Sequence, residues 1–416
     1  MHILFLTENF PPEMNAAASR VYERACYWIR WGHQVTVITC APNFPEGKLF
    51  SGYRNRWYQT EERDGIRVVR VKTYIACNRG FLKRTLDFLS FMVTGSTAAL
   101  FQRRPDVVVA TSPQFFSAVA GWWVGLMRGR PFVFELGDLW PASIIALGAM
   151  QPSPFLQLME KFELFLYRRS AAVVALTRSF KEDLSRRRIE ADKIAVVING
   201  VDLPRYQPQP RDVDLAREWG LDGRFVVGYI GTHGMAHGLE NVLDAAERMQ
   251  DQDLVRFMLV GTGAAREALV DDAHKRKLSN VVFIPPQPKE RMPAFWSLCD
   301  VALIHLRNIP VFETVIPSKM FEAMGMGLPL LIASPKGEAS RILQREEAGL
   351  WVPGQDPDAL AGAVRSLQKD RAGYDRCRAN AQAAAPRYSR ERQARDMLAV
   401  LEGVVAGHRQ VPEAVR

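Results

Sequence analysis

Charged side chains one helical turn apart mark the segment best suited to bind an anion. In IPSKMFEAMGMGLPLLIA, residues 316–333, we predict a helix from about Ser318 that carries Lys319 in its first turn and Glu322 three residues later. This spacing puts Lys319 and Glu322 on one face, where they could form an exposed ion pair. The same spacing would let Lys319 and the helix N-terminus meet a diphosphate while Glu322 accepts two hydrogen bonds from a ribose diol.

A glycine-rich loop joins an apolar run to an amphipathic helix in YIGTHGMAHGLENVLDAA, the segment that starts at residue 229. Gly231 and Gly234 would let backbone amides face outward beside the helix N-terminus, an arrangement that favours an anion. The loop also contains Thr232, His233 and His237. Its histidines could donate to a phosphate or merely line a polar turn.

Two segments fall short of a dinucleotide-binding fingerprint. LVGTGAAREAL, which contains Gly261, has two-thirds of the G-x-G-x-x-G pattern. The first predicted strand is followed by ENFPPEMNAAASR, which has no such glycines, and this argues against an NAD or FAD dehydrogenase. Its prolines and small residues favour either a tight structural turn or a site for an anion or acceptor. The candidate acceptor-binding residues there are Glu8, Asn9, Asn15, Ala16 and Ala17.

Two acidic residues follow the apolar run PFVF in ELGDLWPASI. Asp138, with a proline three residues on, could cap a helix or could accept a proton or orient a substrate hydroxyl in a cleft. Glu135 could point the same way or face a basic neighbour. We take Asp138 and Glu135 as the candidate catalytic residues.

Short apolar runs with helical stretches between them predict the elements that position these residues. Continuous rather than alternating apolarity is typical of parallel strands covered on both faces, so the fold class is α/β with two doubly wound, Rossmann-like domains facing across a cleft. The proline-rich stretch NGVDLPRYQPQPRD separates them. The predicted domains are residues 1–200 and 201–385, and a helical segment, 386–416, could cross back to the first.

The composition is that of an ordinary globular protein. The 416 residues are 48% hydrophobic and 24% charged, which excludes a disordered or fibrous chain. Five scattered cysteines without a CxxC pair indicate a reducing compartment and no structural zinc. Neither a signal peptide nor a long uncharged apolar run is seen, so we expect a cytoplasmic protein. We predict that the DVD motif of residues 212–214 caps a helix and does not bind a metal.

The positive charge is concentrated in the first part of the chain. The net charge is +9, with 21 Lys and Arg against 13 Asp and Glu in residues 1–180 and 33 against 32 in the rest. The segment FLKRTLDFLSFMVTGSTAALFQRR, residues 81–104, could be an ordinary core helix or an interfacial helix on an anionic membrane surface. No nucleic-acid-binding module is recognisable, so we expect no nucleic-acid partner.

Together these motifs resemble a known family. NGVD at residues 199–202, GTHGMAHGLE, GTG and PSKMFEAMGMGLP are similar to the retaining GT-B glycosyltransferases of family 4. The likeness is to the bacterial branch that assembles O-antigen, capsule and exopolysaccharide, including the fucosamine transferase type. It covers almost the whole chain in the expected order, and SKMFEAMGMGLP is its most specific element.

The resemblance implies transfer of a sugar, commonly N-acetylated, from a UDP-sugar with retention of configuration. The acceptor would be a saccharide on undecaprenyl diphosphate, bound by the first domain at the inner face of the cell membrane, with which the protein would associate peripherally. No metal or other cofactor is expected. The second domain would bind the donor: Glu322 the ribose, Ser318 and Lys319 with the Gly231–Gly234 loop the diphosphate, and Ile284 and Pro285 the base.

Three positions depart from the family pattern. Thr314 stands where many members carry a glutamate, and Glu313 beside it is the candidate for sugar recognition. The usual Arg and Lys of the diphosphate loop are absent, their places being near His233 and His237. Where many relatives place a histidine near the reacting carbon, this chain has Asp138, which we expect to contact acceptor or sugar.

Two other functions stay open. A UDP-sugar 2-epimerase would share the two-domain cleft and the UDP site, but it would need acid and base groups and no lipid partner. A non-catalytic scaffold of the assembly machinery would retain the fold without binding nucleotide.

Overall fold

The computed structural model describes residues 1–13, 15–44, 46–75, 81–112, 115–139 and 153–408. The chain forms two compact units. The first contains residues 1–199 and the C-terminal segment from residue 390, and the second contains residues 200–389.

The first unit is built on an eight-stranded sheet within the described part of the chain. Its strands are β1 (His2–Leu6), β2 (Gln34–Cys40), β3 (Tyr58–Arg63), β4 (Ile66–Val71), β5 (Val107–Thr111), β6 (Phe132–Leu136), β7 (Ala172–Ala175) and β8 (Ile194–Val196). The order across the sheet is β3-β4-β2-β1-β5-β6-β7-β8, and every pairing is parallel except that of β3 with β4. The helices that precede the second unit are α1 (Ala16–Arg30), α2 (Phe81–Leu100), α3 (Phe115–Arg128), α4 (Pro154–Arg169) and α5 (Arg178–Arg186).

Strand β1 shows why these runs are apolar throughout. Leu4 and Leu6 belong to the core on one face of the sheet, whereas Ile3 and Phe5 belong to the core on the other. Because helices cover both faces, alternate residues are buried in turn, and no position of the strand is left for a polar side chain facing water.

The second unit contains a six-stranded parallel sheet in the order β11-β10-β9-β12-β13-β14. Its strands are β9 (Phe225–Ile230), β10 (Val255–Val260), β11 (Val281–Ile284), β12 (Val301–His305), β13 (Leu330–Ala333) and β14 (Gly349–Val352). Its helices are α6 (Val213–Glu218), α7 (Glu240–Glu247), α8 (Arg266–Lys275), α9 (Met292–Ser297), α10 (Lys319–Gly325), α11 (Glu338–Glu346), α12 (Pro357–Lys369) and α13 (Arg371–Ala384). The strand order reverses between β9 and β12, which is where a doubly wound sheet opens a crevice for a ligand.

The last helix, α14 (Arg390–Val405), packs in the first unit. Its Met397 and Leu401 are fully buried in the core that also contains Ile3 and Phe5. Trp28 of α1 donates its indole N–H to the carbonyl of Ala394 over 3.0 Å. The chain therefore returns to the first unit after residue 389, four residues later than the expected end of the second domain. None of the described helices combines the length and apolar character needed to cross a membrane.

Candidate functional site

Two glycines bring the loops after β9 and β10 into contact. Gly231 donates its amide to Val260 O over 2.9 Å, and Gly261 donates to Ile284 O over 3.1 Å. Their φ angles are +149° and +141°. A Cβ on Gly261 would lie 2.0 Å from the carbonyl oxygen of Gly231, and one on Gly231 would lie 2.8 Å from Lys319 Nζ. Side chains at either position would therefore push the loops and the lysine apart.

Lys319, the first residue of α10, brings a buried ammonium group to these loops. Its Nζ lies 3.6 Å from the centroid of the Tyr229 ring and has no hydrogen-bond partner among the described residues. Burial lowers the pKa of Lys319 to about 7, although Glu322 on the same helix acts in the opposite direction. The exposed ion pair, one of the two interpretations of this spacing, does not fit a buried Nζ.

His233 is fully buried in the loop after β9. Both of its ring nitrogens are buried; neither makes a hydrogen bond of good geometry in the described structure, although the backbone of Val260 lies close enough to oppose the fall in the pKa of the ring. Burial lowers its pKa to about 4, and the charges of Arg266 and Lys319 add to this effect. The ring is therefore neutral at pH 7, and one of its nitrogens carries a hydrogen that could be donated to an anion.

His237 packs against His305 at the end of β12. Burial lowers the pKa of His237 to about 3 and that of His305 to about 4. The Nδ1 of His305 lies 2.6 Å from the carbonyl oxygen of His237, and its Nε2 lies 2.8 Å from the amide nitrogen of Asn241. This pattern fits a neutral ring that donates from Nδ1 and accepts at Nε2. His305 and Asn241 thus fix the end of the loop.

The other predicted donor residues lie at neighbouring positions of the same unit. Glu322 is half-buried, and its Oε2 accepts a hydrogen bond from Trp296 Nε1 over 3.4 Å. Ser318 occupies the N-cap position of α10. Ile284 ends β11 and is buried, and the next residue, Pro285, is exposed.

Three further predicted residues, Thr232, Gly234 and Glu313, also lie in the second unit. Thr232 and Gly234 flank His233 in the loop, and Gly234 precedes a short 3₁₀ turn at Met235–His237. Glu313 lies on a second 3₁₀ turn, between β12 and α10, with its side chain exposed. The backbone of Glu313 packs closely on Gly337, because a Cβ added to Gly337 would lie 2.1 Å from the carbonyl oxygen of Glu313.

The candidate acceptor residues of the first unit gather where β1 ends and α1 begins. Asn15 caps α1 by accepting the amide of Ala18 over 2.9 Å, and it donates to Asn9 Oδ1 over 3.0 Å. Ala16 and Ala17 are the first residues of that helix, and Ala16 is exposed. The alanines therefore leave the helix N-terminus open to a ligand.

Glu8, two residues after the end of β1, is a buried carboxyl group. Burial raises the pKa of Glu8 well above its usual value, and Asp87 and Glu13 raise it further, whereas Arg84 opposes them. Its Oε1 has no hydrogen-bond partner among the described residues. Arg84 and Asp87 belong to α2, so that helix reaches the candidate acceptor residues.

Glu135 is not the free carboxylate that a catalytic role requires. It is fully buried at the end of β6, with its Oε1 2.8 Å from Arg24 Nη1 and 3.3 Å from Arg20 Nε. Burial alone would raise its pKa, but Arg24 and Arg20 outweigh burial and lower it to about 2. Of the two interpretations, the basic neighbour is the one found, and Glu135 ties α1 to β6.

Asp138 lies half-buried just beyond β6. The turn that carries it is fixed by Gly137, whose amide donates to Ser112 Oγ over 3.0 Å. The helix that Asp138 could cap would fall in residues 140–152, outside the described residues.

Helix α2 has one buried and one exposed face. Phe91, Ala98 and Ala99 are buried in the core, as expected for an ordinary core helix. Leu86 and Val93 are 45% and 59% exposed. Helix α3 packs against α2 and also exposes large apolar side chains, namely Trp123, Leu126 and Met127.

The DVD motif is a helix cap, as predicted. Asp212 accepts the amide of Leu215 over 3.0 Å at the start of α6. Within the described residues no group of three or more His, Cys, Asp or Glu side chains is arranged to hold a metal ion.

Sequence reasoning missed several residues of these sites, namely Tyr229, Asn241, His305, Arg20 and Arg24. Tyr229 is the penultimate residue of β9 and His305 the last of β12, so both continue an apolar run and have the sequence pattern of core residues. The arginines at positions 20 and 24 are four residues apart on α1 and so share a face, a spacing that the sequence shows, but it does not identify Glu135 as their partner.

Known proteins resemble this chain in sequence and in fold. WcaI of Escherichia coli K12, a putative colanic acid biosynthesis glycosyl transferase, is 28% identical over 335 residues, which are 79% of this chain and 82% of WcaI. A GDP-mannose-dependent alpha-mannosyltransferase of Mycobacterium tuberculosis is 25% identical over 89% of each chain. The Anabaena protein Alr3699/HepE, solved in complex with UDP, matches 97% of this chain and 100% of its own with a TM-score of 0.70 and 19% identity, a likeness of fold.

The two units correspond to two family domains. Residues 15–200 match the glycosyl transferase 4-like domain, and residues 224–370 match the glycosyl transferases group 1. These matches follow the order expected from the sequence motifs and span most of both units. The chain therefore belongs to the family 4-type glycosyltransferases and has their GT-B architecture of two Rossmann-like domains.

Proposed function

We propose that this glycosyltransferase moves a sugar, commonly an N-acetylated one, from a UDP-sugar to a lipid-linked saccharide in the biosynthesis of a surface polysaccharide. The observation that carries the proposal is the Lys319 ammonium, buried beside two glycine loops without a hydrogen-bonding partner among the described residues. Such a group is costly to bury unless an anion binds it, and a diphosphate supplies that anion. The UDP bound to HepE supports the donor class, and the colanic acid biosynthesis for which WcaI is named supports the class of pathway.

In this proposal, separate groups of the second unit bind the diphosphate, the ribose and the base of the donor. Lys319 and the His233 ring bind the diphosphate, together with backbone amides of the loop that follows Gly231. Glu322 accepts hydrogen bonds from the ribose hydroxyls, and Ile284 with Pro285 flanks the base. The GDP-mannose of the mycobacterial relative makes a guanine nucleotide the alternative donor that a test must include.

Transfer would proceed with retention by displacement on the front face of the sugar. The bond from the anomeric carbon to the phosphate oxygen breaks, and the bond to the acceptor oxygen forms on the same face. The departing phosphate accepts the proton of the incoming hydroxyl, so the protein supplies position and charge neutralisation and needs no separate base. Asp138 would contact the acceptor or the sugar. Glu135 would hold helix α1 against strand β6.

We propose that no metal or other cofactor takes part. Lys319 supplies next to the diphosphate the positive charge that a divalent cation supplies in other enzymes. Turnover should therefore be unchanged after dialysis against a chelator, and activity that returns only when Mg²⁺ or Mn²⁺ is added would contradict this part of the proposal.

The acceptor would be a saccharide on undecaprenyl diphosphate at the inner face of the cell membrane. Helix α2 supports this assignment because Arg84 and Asp87 lie near Glu8 while Leu86 and Val93 face outward. Exposed apolar residues beside basic ones suit an anionic lipid surface. Peripheral association through residues 81–104 would thus bring the acceptor to the first unit.

A donor screen with matched variants tests the proposal. UDP- and GDP-sugars are incubated with the protein and membrane lipid extract, and release of the nucleoside diphosphate is measured. We expect one UDP-sugar to turn over and Glu322→Ala to abolish turnover without lowering the melting temperature. Glu313→Ala replaces the exposed glutamate that is the candidate for sugar recognition. Its effect on turnover therefore measures the sugar contact separately from the ribose contact. Near-normal turnover by Glu322→Ala would contradict the ribose assignment, and epimer formation without acceptor would contradict sugar transfer.

A further inference from the structure

Tyr229 lies beneath the groups that we assign to the diphosphate. It is the penultimate residue of β9 and is fully buried. Its ring centroid lies 3.6 Å from Lys319 Nζ and 5.9 Å from the ring centroids of His233 and His237. Its hydroxyl donates to the carbonyl oxygen of Thr232 over 2.7 Å. One side chain thus contacts both the lysine and the loop.

The ring of Tyr229 provides the ammonium with its nearest favourable contact. A cation over an aromatic face is attracted by the ring quadrupole, and the attraction is stronger where water is excluded. The neighbouring Gly231 has no Cβ, which leaves room for Nζ at this position. The ammonium is therefore placed before any ligand arrives, and a ligand does not have to order it.

The hydroxyl of Tyr229 holds the loop that follows β9. Thr232 lies between Gly231 and His233, so the bond to its carbonyl fixes the Thr232–His233 peptide unit, whose amide donates to the carbonyl of Thr262 over 2.9 Å. At the other end of the loop, His305 anchors the carbonyl of His237. Tyr229 and His305 thus fix the two ends of one loop.

We propose that Tyr229 is a positioning residue of the donor site, whose ring holds the Lys319 ammonium in place and whose hydroxyl fixes the loop at Thr232. The inference rests on the proposed function, because it takes the anion to be a nucleoside diphosphate. It predicts that Tyr229 affects donor binding through Lys319 as well as through the stability of the fold.

The pH dependence of binding separates these two effects. Among the described residues, the charged and titratable groups facing Lys319 are Glu322 on its own helix, His233 and His237 in the loop, His305 on β12, and Tyr229 itself, whose pKa is raised by burial so that it stays neutral. The three histidines have pKa values of about 4, 3 and 4 because they are buried, so they stay neutral from pH 6 to 9. A midpoint near pH 7 in donor binding would then report Lys319.

The experiment measures binding of UDP-glucose and GDP-mannose by calorimetry from pH 6 to 9. Tyr229→Phe keeps the ring and loses the bond to Thr232, whereas Tyr229→Leu loses both. The matched control is Tyr374→Phe on α13, which loses a 2.9 Å bond from a tyrosine hydroxyl to the carbonyl of Asp300 in the same unit. Melting temperatures are recorded for all three.

We expect Tyr229→Phe to weaken binding about 3- to 10-fold with an unchanged pH midpoint, as for loss of one hydrogen bond. Tyr229→Leu should weaken binding further and move the midpoint about half a unit to one unit lower, because the ammonium loses its aromatic partner. Tyr374→Phe should bind as the parent does.

Three results would overturn the inference. Tyr229 variants that bind like Tyr374→Phe would contradict it while leaving the donor site intact. Weaker binding by Tyr229→Leu with an unchanged pH midpoint would show that Tyr229 has a purely structural role. If Tyr229→Leu fails to fold, unchanged binding by Tyr229→Phe would contradict the inference. A parent protein that binds neither nucleotide sugar would contradict the proposed function itself.

Discussion

Lys319 determines the charge of the candidate donor site around neutral pH. Burial lowers its pKa to about 7, while His233, His237 and His305 remain neutral because burial lowers their pKa values to about 4, 3 and 4. Among these four basic groups only Lys319 changes its charge between pH 6 and 8. A site with few fixed charges thus depends on one ammonium and on backbone amides.

This dependence predicts how donor affinity changes with pH. UDP-glucose, whose diphosphate does not titrate in this range, should bind roughly fivefold more weakly at pH 8 than at pH 7, because the free protein loses the ammonium through its pKa of about 7. Calorimetry measures the change. Lys319→Arg keeps its charge and should show no such decline; a decline of equal size in that variant would assign the titration to another group.

The motif containing Lys319 and Glu322 could be predicted from the sequence because a helical spacing and a following glycine turn identify it. The role of Tyr229 could not, since a tyrosine within an apolar strand has the pattern of a core residue until the fold places α10 above it. Glu135 shows the same limit: a carboxylate at a strand end can face a ligand or a neighbouring helix. Only the packing of α1 on the sheet selects Arg20 and Arg24 as its partners.

At the scale of elements, helix α1 is held to β6 by one buried carboxylate and two arginines. Arg24 also lies over the rings of Phe5 and Trp28, with its guanidinium 5.6 Å and 5.1 Å from their centroids. This arrangement fixes the N-terminus of α1, where the candidate acceptor residues lie. It also leaves two buried cations if the carboxylate is removed.

Replacing the buried carboxylate should therefore destabilise the protein strongly. Glu135→Leu should lower the free energy of unfolding by about 3 kcal/mol or more, because Arg20 and Arg24 remain buried without an anion. Glu160→Leu removes the half-exposed partner of Arg187 and should cost less than about 1 kcal/mol. Denaturant unfolding compares the two, and equal losses would contradict a buried ion cluster.

Helix α14 provides a second prediction for an element. Leu401 is fully buried in the first unit, whereas Val405 on the same helix is 43% exposed. Leu401→Asp should lower stability by about 3 kcal/mol or more, because it buries a charge without a partner. Val405→Asp is the matched control with a small expected effect. A tolerated Leu401→Asp would show that the helix does not belong to this core.

Two strands, β3 and β14, lack the long continuous apolar run on which the strand prediction depends. Strand β3 has the sequence YQTEER, pairs antiparallel at the edge of the sheet and alternates between exposed and half-buried positions. Strand β14 begins at Gly349, whose φ of +156° lets its backbone approach Leu330 closely. Continuous apolarity identifies strands covered on both faces, but it misses a strand that alternates at the sheet edge, such as β3, and a four-residue strand that begins with a glycine, such as β14.

At the scale of the whole molecule, the uneven charge of the chain coincides with exposed apolar helices. Residues 1–180 carry nearly all of the +9 net charge, and within them α2 and α3 expose Leu86, Val93, Trp123, Leu126 and Met127. The neutral remainder of the chain, residues 181–416, contains the whole unit assigned to the donor, residues 200–389. This division suits a protein whose acceptor is presented at an anionic membrane surface.

A vesicle experiment tests this division. Binding to vesicles of phosphatidylglycerol and phosphatidylethanolamine should weaken as salt rises, because the attraction is screened. Lys83→Glu with Arg84→Glu should weaken it at least about tenfold, at roughly 1 kcal/mol for each basic residue near the surface. Lys275→Glu with Lys369→Glu makes the same charge change in the second unit and should have little effect. Binding that depends neither on salt nor on the Lys83 and Arg84 changes would contradict a role of this charge in membrane association.

The structure of the protein with UDP bound would test the donor site most directly. The account predicts a diphosphate oxygen within about 3 Å of Lys319 Nζ, a second near the His233 ring and the ribose hydroxyls on Glu322. A nucleotide whose diphosphate lies away from Lys319, or that binds outside the loops after β9 and β10, would contradict the account.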